Sequence, residues 1–215
     1  PRFAGDELPR NLAGTVVALA DKLETLAGMF GIGNLPSGDK DPFALRRHAL
    51  GVIRMLSEQS LPLNVSDLLG LAFETLAGKL AQDTQAAQEA LLAFVFDRLA
   101  GSLREQGFSA QEVDAVLSLR PERLGEVRRR LEAVRAFAQL PEAAALAAAN
   151  KRISNILKKA QEVDPHVSEV LLQEPAEKNL FAAMQATTPK AQEQWLQGDY
   201  TASLQTLAAL RGFLK

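Results

Sequence analysis

Residues 12–30 read LAGTVVALADKLETLAGMF, and this stretch decides the fold class. Its large apolar residues recur every three or four positions, a spacing that lines one face of an α-helix. They are Leu12, Val16, Leu19, Leu23, Leu26 and Phe30. The opposite face carries mostly small residues, which let a second helix approach closely. They are Gly14, Val17, Ala18, Asp21, Thr25 and Gly28. The pattern predicts a helix buried on two sides, with Asp21 inside the protein.

The helical period continues after a turn-rich connection. Residues 31–41 are rich in Gly, Pro and Asp, as expected of a loop. Asp41 is predicted to cap a second helix whose first residue is Pro42. The predicted core residues of that helix are Phe43, Leu45, Ala49, Val52, Ile53 and Leu56. Ser66 is predicted to cap a third helix, which runs to about Lys79.

Two further helices are predicted in the middle of the chain. Thr84 starts the first of them, and Gly107 ends it in the way that glycine commonly ends helices. Its inward residues are predicted to be Leu92, Val95, Leu99 and Leu103. Ser109 and Glu112 have the spacing of a capping box and open the second helix.

The second half of the chain is predicted to be helical as well. Pro141 begins a long alanine-rich helix, while Pro175 and Pro189 open two shorter ones. Gly198 precedes a last helix. The predicted inward residues are Leu124, Val127, Leu131, Val134, Leu146, Ala149, Ile153, Ile156, Leu157, Leu204, Leu207 and Leu210. No segment shows the pattern of a strand or a regular repeat. The sequence therefore predicts an all-α protein, with a domain boundary near residues 105–125, where turn signals cluster.

Composition limits the classes of function. The 215 residues suffice for one large helical domain or two small ones, and 47% are apolar, as in a globular protein with a buried core. The net charge of −2 means that any nucleic-acid binding must come from a local patch. The absence of cysteine excludes disulfides, cysteine zinc sites and thiol catalysis, and it fits a reducing cytoplasm. No apolar run approaches about 18 residues, so neither a membrane span nor a membrane partner is expected.

Groups that could carry out catalysis are sparse. Residues 33–40 superficially resemble a phosphate-binding loop, but the lysine does not directly follow a glycine, no hydroxyl residue follows it and no strand precedes it. His48 and His166 lack a partner at metal-ligand spacing, and His48 is predicted to be a surface or boundary residue. Trp195 and Tyr200 are predicted to be packing residues. The sequence therefore predicts no catalytic, cofactor-binding or metal-binding residue.

The strongest local signal is electrostatic. Residues 120–160 contain ten basic and four acidic side chains, a charge of +6 within a chain of −2. The basic side chains are Arg120, Arg123, Arg128, Arg129, Arg130, Arg135, Lys151, Arg152, Lys158 and Lys159. A basic stripe on a helix attracts a phosphate backbone and releases counterions. The alternative is a solvated helix face with no ligand.

On the alanine-rich helix the polar side chains share one arc of about 120°, counted at 100° per residue. We call this set the basic ridge; it comprises Lys151, Arg152, Asn155, Lys158 and Lys159. The opposite flank is predicted to be buried. Asn155 adds a donor and an acceptor that could meet a base edge or a ribose.

Several stretches of this chain resemble a known family. They read PRFAGDELP at 1–9, ALADKL at 18–23, GIG at 31–33, SGDKDPFALRR at 37–47 and ANKRISNILKK at 149–159. These stretches closely resemble the beta subunit of bacterial glycyl-tRNA synthetase, and the match is collinear over most of the chain. Because the chain begins at Pro1 rather than Met, we expect it to be a fragment or a processed product, and the resemblance implies that it is the C-terminal portion of such a subunit.

The resemblance implies a division of labour between two subunits. The alpha subunit would hold the glycine and ATP site, with Mg²⁺, and the beta subunit would recognise tRNA. Residues 1–105 would be the C-terminal part of a helical domain that resembles HD-type metal phosphohydrolases, residues 106–130 a helical connector, and residues 131–215 a helical bundle of the anticodon-binding type. The chain stops at Lys215, earlier than this domain usually does, so its last helices are expected to be missing.

The predicted function is that of a tRNA-binding portion of glycine–tRNA ligase, a cytoplasmic enzyme of protein biosynthesis. The basic ridge would contact phosphate and ribose of glycine tRNA, and Arg128, Arg129 and Arg130 are second-choice contacts. The chain itself would hold no cofactor and would not charge tRNA alone.

Two alternatives remain open. One is an HD-like metal phosphohydrolase that uses Asp21, although neither histidine is followed by the aspartate such a site requires. The other is a purely structural module that bridges subunits.

Overall fold

A computed structural model describes residues 7–38, 40–80, 84–160 and 166–213. Over these ranges the chain forms nine α-helices and no strand, which confirms the all-α prediction. The helices are α1 (Leu12–Gly31), α2 (Leu45–Glu58), α3 (Val65–Thr75), α4 (Thr84–Glu105), α5 (Ala110–Leu117), α6 (Val127–Ala138), α7 (Ala143–Leu157), α8 (Pro175–Leu196) and α9 (Tyr200–Ala208). Short 3₁₀ turns lie at Leu124–Glu126, Glu169–Leu171 and Ala209–Phe213.

The chain divides into two compact units. The first unit is Pro1–Leu131 and the second is Glu132–Lys215. In the first unit α1 packs against α2, α3 and α4, and the Leu124–Glu126 turn packs against α2. In the second unit α8 packs against α9 and the 3₁₀ turn that follows it. The identities proposed for residues 1–105, 106–130 and 131–215 stay predictions.

Helix α1 buries one face, as its sequence predicts, but the opposite face is not buried with it. Leu19, Leu23, Leu26 and Phe30 lie in the core. Val16, from the same predicted face, is 56% exposed, and the first residue, Leu12, is more exposed still. Asp21 is exposed, so its predicted burial is wrong. An ionised carboxylate without a paired cation costs free energy to bury, and Asp21 is two positions, or about 200°, from the buried Leu19.

The side chain of Asp41 caps helix α2, as predicted, but Ala44 holds the N-cap position and the helix begins three residues later than predicted. The two carboxylate oxygens of Asp41 accept hydrogen bonds from the amides of Leu45, at 2.7 Å, and Arg46, at 3.0 Å. Ala44 has a left-handed backbone (φ 54°), so the helix cannot include Pro42. Phe43 therefore lies before the helix and is exposed, whereas the other five predicted core residues are buried.

Helix α3 is capped from a distance. Ser66 was predicted to be its cap, but Asn64 holds the N-cap position and Ser66 lies inside the first turn. The carbonyl oxygen of Glu122 accepts a hydrogen bond from the Val65 amide at 2.9 Å. The helix ends at Thr75 rather than near Lys79 because the following residues form tight turns.

The predicted boundaries of α4 and α5 are confirmed. Helix α4 starts at Thr84, and beyond its end Gly107 adopts φ 90° while the Phe108 amide donates to the Leu103 carbonyl oxygen at 3.2 Å. The capping box of Ser109 and Glu112 is present at the start of α5, with both reciprocal hydrogen bonds. The core position predicted at Leu92 is occupied by its neighbour, since the buried residues of α4 are Leu91, Val95, Leu99 and Leu103.

In the second unit, one long helix replaces the two that were predicted. Pro175 opens α8, but Pro189 lies inside it. A proline within a helix removes one backbone hydrogen bond. The helix nevertheless continues, because packing against α9 buries Ala191, whose carbonyl oxygen accepts a hydrogen bond from the Ser203 hydroxyl at 2.9 Å. Tertiary packing thus outweighs the local preference.

An aromatic pair joins the end of α8 to the start of α9. The rings of Trp195 and Tyr200 meet edge to face with their centroids 4.6 Å apart, which fits the predicted packing role. The Asp199 carboxylate accepts a hydrogen bond from the Ala202 amide at 3.0 Å and caps α9. The side of α9 turned to the core carries Tyr200, Ser203 and Ala208, while the predicted core residue Leu207 is partly exposed.

Candidate nucleic-acid interface

All five side chains of the basic ridge are exposed on α7. Lys158 and Lys159 lie just past the last helical residue, but their amides donate to the carbonyl oxygens of Ser154 and Ile156 at 3.0 Å, so the helical path continues through them. Four members of the ridge line one shallow surface depression of about 410 Å³: Lys151, Arg152, Asn155 and Lys159. The depression is therefore walled by cations, with an amide between them.

The charges of the ridge are not neutralised within the part of the chain that the structure describes. There, none of the side chains of Lys151, Arg152, Lys158 and Lys159 forms an ion pair. The same ranges give Asn155 no side-chain hydrogen bond. These cations can bind a phosphate backbone without first breaking an ion pair within the protein, so RNA binding carries no free-energy cost from that source.

The flank of α7 opposite the ridge is open, contrary to the prediction. Ile153, Ile156 and Leu157 are 47%, 59% and 47% exposed. Leu146 and Ala149, on the same side nearer the start of the helix, are only half-buried. Packing inside the second unit therefore covers only the beginning of α7. The helix presents a basic face and an apolar face, both accessible within the described residues.

The three second-choice arginines do not act as one group. Arg128 and Arg129 are exposed, and Arg128 donates to the Gln106 side-chain oxygen at 3.4 Å. Arg130 is turned inward and forms an ion pair with Glu126 at 2.7 Å. Successive helical residues point about 100° apart, which separates Arg130 from the others. Arg123, which belongs to the basic stretch 120–160 but was not predicted to be a contact, lines the same cleft as Arg128 and Arg129.

The candidates for catalysis are not brought together in the first unit. In the described ranges no group of three His, Cys, Asp or Glu residues is placed to hold a metal ion. His48 is half-buried, and its Nδ1 makes no hydrogen bond among the residues described. Burial holds the pKa of His48 below its ordinary value, the Lys22 ammonium adds to this effect, and Asp21 opposes it. His166 is exposed in the second unit.

The loop that superficially resembles a phosphate-binding loop forms a turn between α1 and α2. Ser37 and Lys40 exchange two backbone hydrogen bonds, of 3.1 and 2.9 Å. The guanidinium of Arg46 donates to the Gly38 carbonyl oxygen. Asp39 lies outside the described residues. The loop is thus held by hydrogen bonds within its own backbone and by a side chain of α2.

These features define a class of protein: a helical protein with a basic surface helix, whose described residues do not bring catalytic or metal-ligating side chains together. None of the helices in that portion has the length and apolarity needed to cross a bilayer. The family model described as "Glycyl-tRNA synthetase beta subunit" matches residues 1–118. The chain belongs to the glycyl-tRNA synthetase beta subunit family.

The relatives extend the match over nearly the whole chain. The glycine–tRNA ligase beta subunit of Acidovorax sp. (strain JS42) is 70% identical over 211 residues, which is 98% of this chain and 29% of that protein. The corresponding subunit of Polaromonas naphthalenivorans (strain CJ2) is also 70% identical, over 212 residues, with the same coverage. That of Dechloromonas aromatica (strain RCB) is 60% identical over 212 residues, 98% of this chain and 30% of the relative. The chain thus spans less than a third of the length of these relatives.

Proposed function

We propose that this chain is a tRNA-binding portion of a glycine–tRNA ligase beta subunit, and that the basic ridge contacts phosphate and ribose of glycine tRNA. The carrying observation is the ridge itself: four exposed cations on one helix, without ion-pair partners among the described residues. Family membership supplies the identity of the RNA, because the matched relatives are named glycine–tRNA ligase beta subunits.

The binding energy would come mainly from counterion release. Each phosphate neutralised by a cation lowers the slope of log K against log salt by about 0.7 to 0.9, depending on whether the RNA is single-stranded or duplex. Four ridge cations would therefore contribute a slope of roughly −3 to −4. The side-chain amide of Asn155, between the lysines, can both donate and accept hydrogen bonds. Its partner could be a ribose 2′-hydroxyl, which only RNA has, or the edge of an unstacked base.

The chemistry would take place elsewhere in the enzyme. In this proposal the alpha subunit holds glycine, ATP and Mg²⁺, in the cytoplasm, and the present chain contributes position. Binding energy gained at a distant part of the tRNA holds the acceptor end where the reaction occurs. The chain alone should not attach glycine to tRNA.

A second candidate function is supported by the apolar flank of α7. Ile153, Ile156 and Leu157 form an exposed apolar strip, a feature that often marks a contact with another protein surface. A module that only bridges subunits would use this strip and would need no RNA. The HD-like phosphohydrolase reading draws no support from the exposed Asp21.

The experiment is a titration of the 215-residue chain with transcribed glycine tRNA at two salt concentrations. Lys158→Glu/Lys159→Glu should weaken binding and flatten its salt dependence. The matched control is Lys178→Glu/Lys190→Glu, which reverses the same number of exposed charges in the same unit away from the ridge. Equal loss in both variants would show that only net charge matters, and unchanged binding in the ridge variant would remove the ridge from the interface.

A further inference from the structure

The first unit has a separate cluster of cations in a cleft. We propose that Arg123, Arg128 and Arg129 form a second phosphate-binding site that takes a phosphodiester of the RNA backbone; this rests on the proposed function. The three side chains are exposed and line a cleft of about 470 Å³ between the end of α2 and the start of α6. The ridge lies in the other unit, so the two sites can be tested independently.

A close backbone contact builds the cleft. Gly125 lies against the turn after α2, where an added Cβ would stand 2.9 Å from the Ser60 Cα and 3.3 Å from the Leu56 carbonyl oxygen. Ser60 itself has a left-handed backbone, with φ 49°. The segment that carries the arginines is therefore seated on the α2 terminus by main-chain atoms. This contact between main-chain atoms fixes the backbone near the arginines more rigidly than contacts between flexible side chains would.

The charge of the cleft is positive after its acids are counted. Glu58 and Glu126 also line it. Each forms an ion pair at 2.7 Å with an arginine outside the proposed set, Arg54 and Arg130 respectively. Glu126 also forms a longer ion pair, of 3.8 Å, with Arg123 of the proposed set. The lining itself carries three arginines and two glutamates, a net charge of +1.

The chemistry of the donors suits a phosphate. A guanidinium presents a planar fork of N–H groups that matches two phosphate oxygens, whereas a lysine acts as a point charge. The exposed Ser60 hydroxyl lines the same cleft and makes no hydrogen bond among the described residues. The neighbouring Ser57 hydroxyl is already used, since it donates to the Ile53 carbonyl oxygen at 2.5 Å. Ser60 is thus an additional donor for a phosphate held by the arginines.

The test compares salt dependence in two double variants of the full 215-residue chain. Arg123→Gln/Arg129→Gln removes two cations from the cleft. Arg10→Gln/Arg104→Gln removes two exposed arginines of the same unit that lie outside it. With transcribed glycine tRNA, the cleft variant should bind roughly tenfold or more weakly at about 0.1 M salt, and its slope should shrink by about 1.5. The control should retain the wild-type slope.

Folding is checked by circular dichroism and the melting temperature. Arg123→Lys/Arg129→Lys provides the second variant: it should keep the salt slope but lose affinity, because charge remains and the fork is lost. If the cleft variant matches its control while Lys158→Glu/Lys159→Glu loses binding, the cleft proposal is wrong and the proposed function stands. If the wild-type chain shows no salt-dependent binding of tRNA, the proposed function fails and the cleft proposal fails with it.

Discussion

Glu122 holds the first turn of α3 through Ser66, which lies 56 positions earlier in the sequence. One carboxylate oxygen accepts from the Ser66 hydroxyl at 3.0 Å, and the other accepts from the Ser66 amide at 3.3 Å. The contact satisfies an amide that a helix start otherwise leaves without a partner. It also ties the segment before α6, which carries Arg123 of the cleft, to α3.

Replacing Glu122 should therefore destabilise the first unit. Glu122→Ala removes the carboxylate that serves as the cap, and loss of a cap costs about 1 kcal/mol. Urea unfolding followed by circular dichroism measures the change in the free energy of unfolding. Glu24→Ala, at an exposed helical position in the same unit, is the control and should change stability by less than about 0.5 kcal/mol. An equal effect of the two substitutions would contradict the capping role.

Two glycines should respond to alanine in opposite directions. At Gly125 the added Cβ would meet the Ser60 Cα at 2.9 Å, and overpacking against backbone costs about 1 to 3 kcal/mol. At Gly101, inside α4, nothing lies within 4 Å of the added atom. Gly101→Ala should therefore stabilise the chain by about 0.4 to 1 kcal/mol. Thermal unfolding of both variants checks the pair, and a stable Gly125→Ala protein would refute the close seating of this segment.

Stability should depend on pH through His48. Burial, together with Lys22, lowers the pKa of His48 in the folded chain below its ordinary value of 6.5, against the opposing charges of Asp21 and Asp41. The unfolded chain then binds more protons between the folded pKa and 6.5, so the free energy of unfolding falls as the pH drops from 6.5 through the folded pKa. Well above pH 6.5, His48 is neutral in both states and does not change the free energy of unfolding. Unfolding measured between about pH 5 and 7 tests this dependence.

Replacing each of the two histidines by glutamine tests which one causes the pH dependence. His48→Gln should reduce the pH dependence in that window, because its side chain does not titrate. His166→Gln, at an exposed position, is the matched control for replacing a histidine, and the difference between the two variants isolates the contribution of His48. If both variants keep the wild-type profile, the half-buried imidazole of His48 is not the titrating group.

The apolar flank of α7 separates the two candidate functions. Ile153→Ser/Leu157→Ser should change the free energy of unfolding by less than about 0.5 kcal/mol per site, since both side chains are exposed and neither lines the depression of the ridge. Leu131→Ala, at a fully buried position, should cost about 2 to 5 kcal/mol in the same assay. The serine variant should also bind glycine tRNA like the wild type. Loss of RNA binding would place the RNA contact on the apolar flank instead of the ridge.

Local signals sufficed for the features that depend on neighbours in sequence. The Ser109 capping box, the Gly107 stop and the start of α4 at Thr84 involve atoms within a few residues, so their residue types predicted them. Asp41 was recognised as a cap for the same reason, although the left-handed Ala44 delayed the helix that follows. The arc shared by the ridge side chains is likewise a property of one helix.

What the sequence by itself determined is the all-helical class, several helix boundaries, the common face of the ridge and membership of the family. Only the tertiary structure decided that Asp21 faces solvent, that the flank of Ile153 is open and that Pro189 lies within a continuous helix. Periodicity tells which residues share a face, because that depends on rotation about one helix axis. Whether a face is covered depends on a partner helix distant in sequence, and no local pattern encodes where that partner packs.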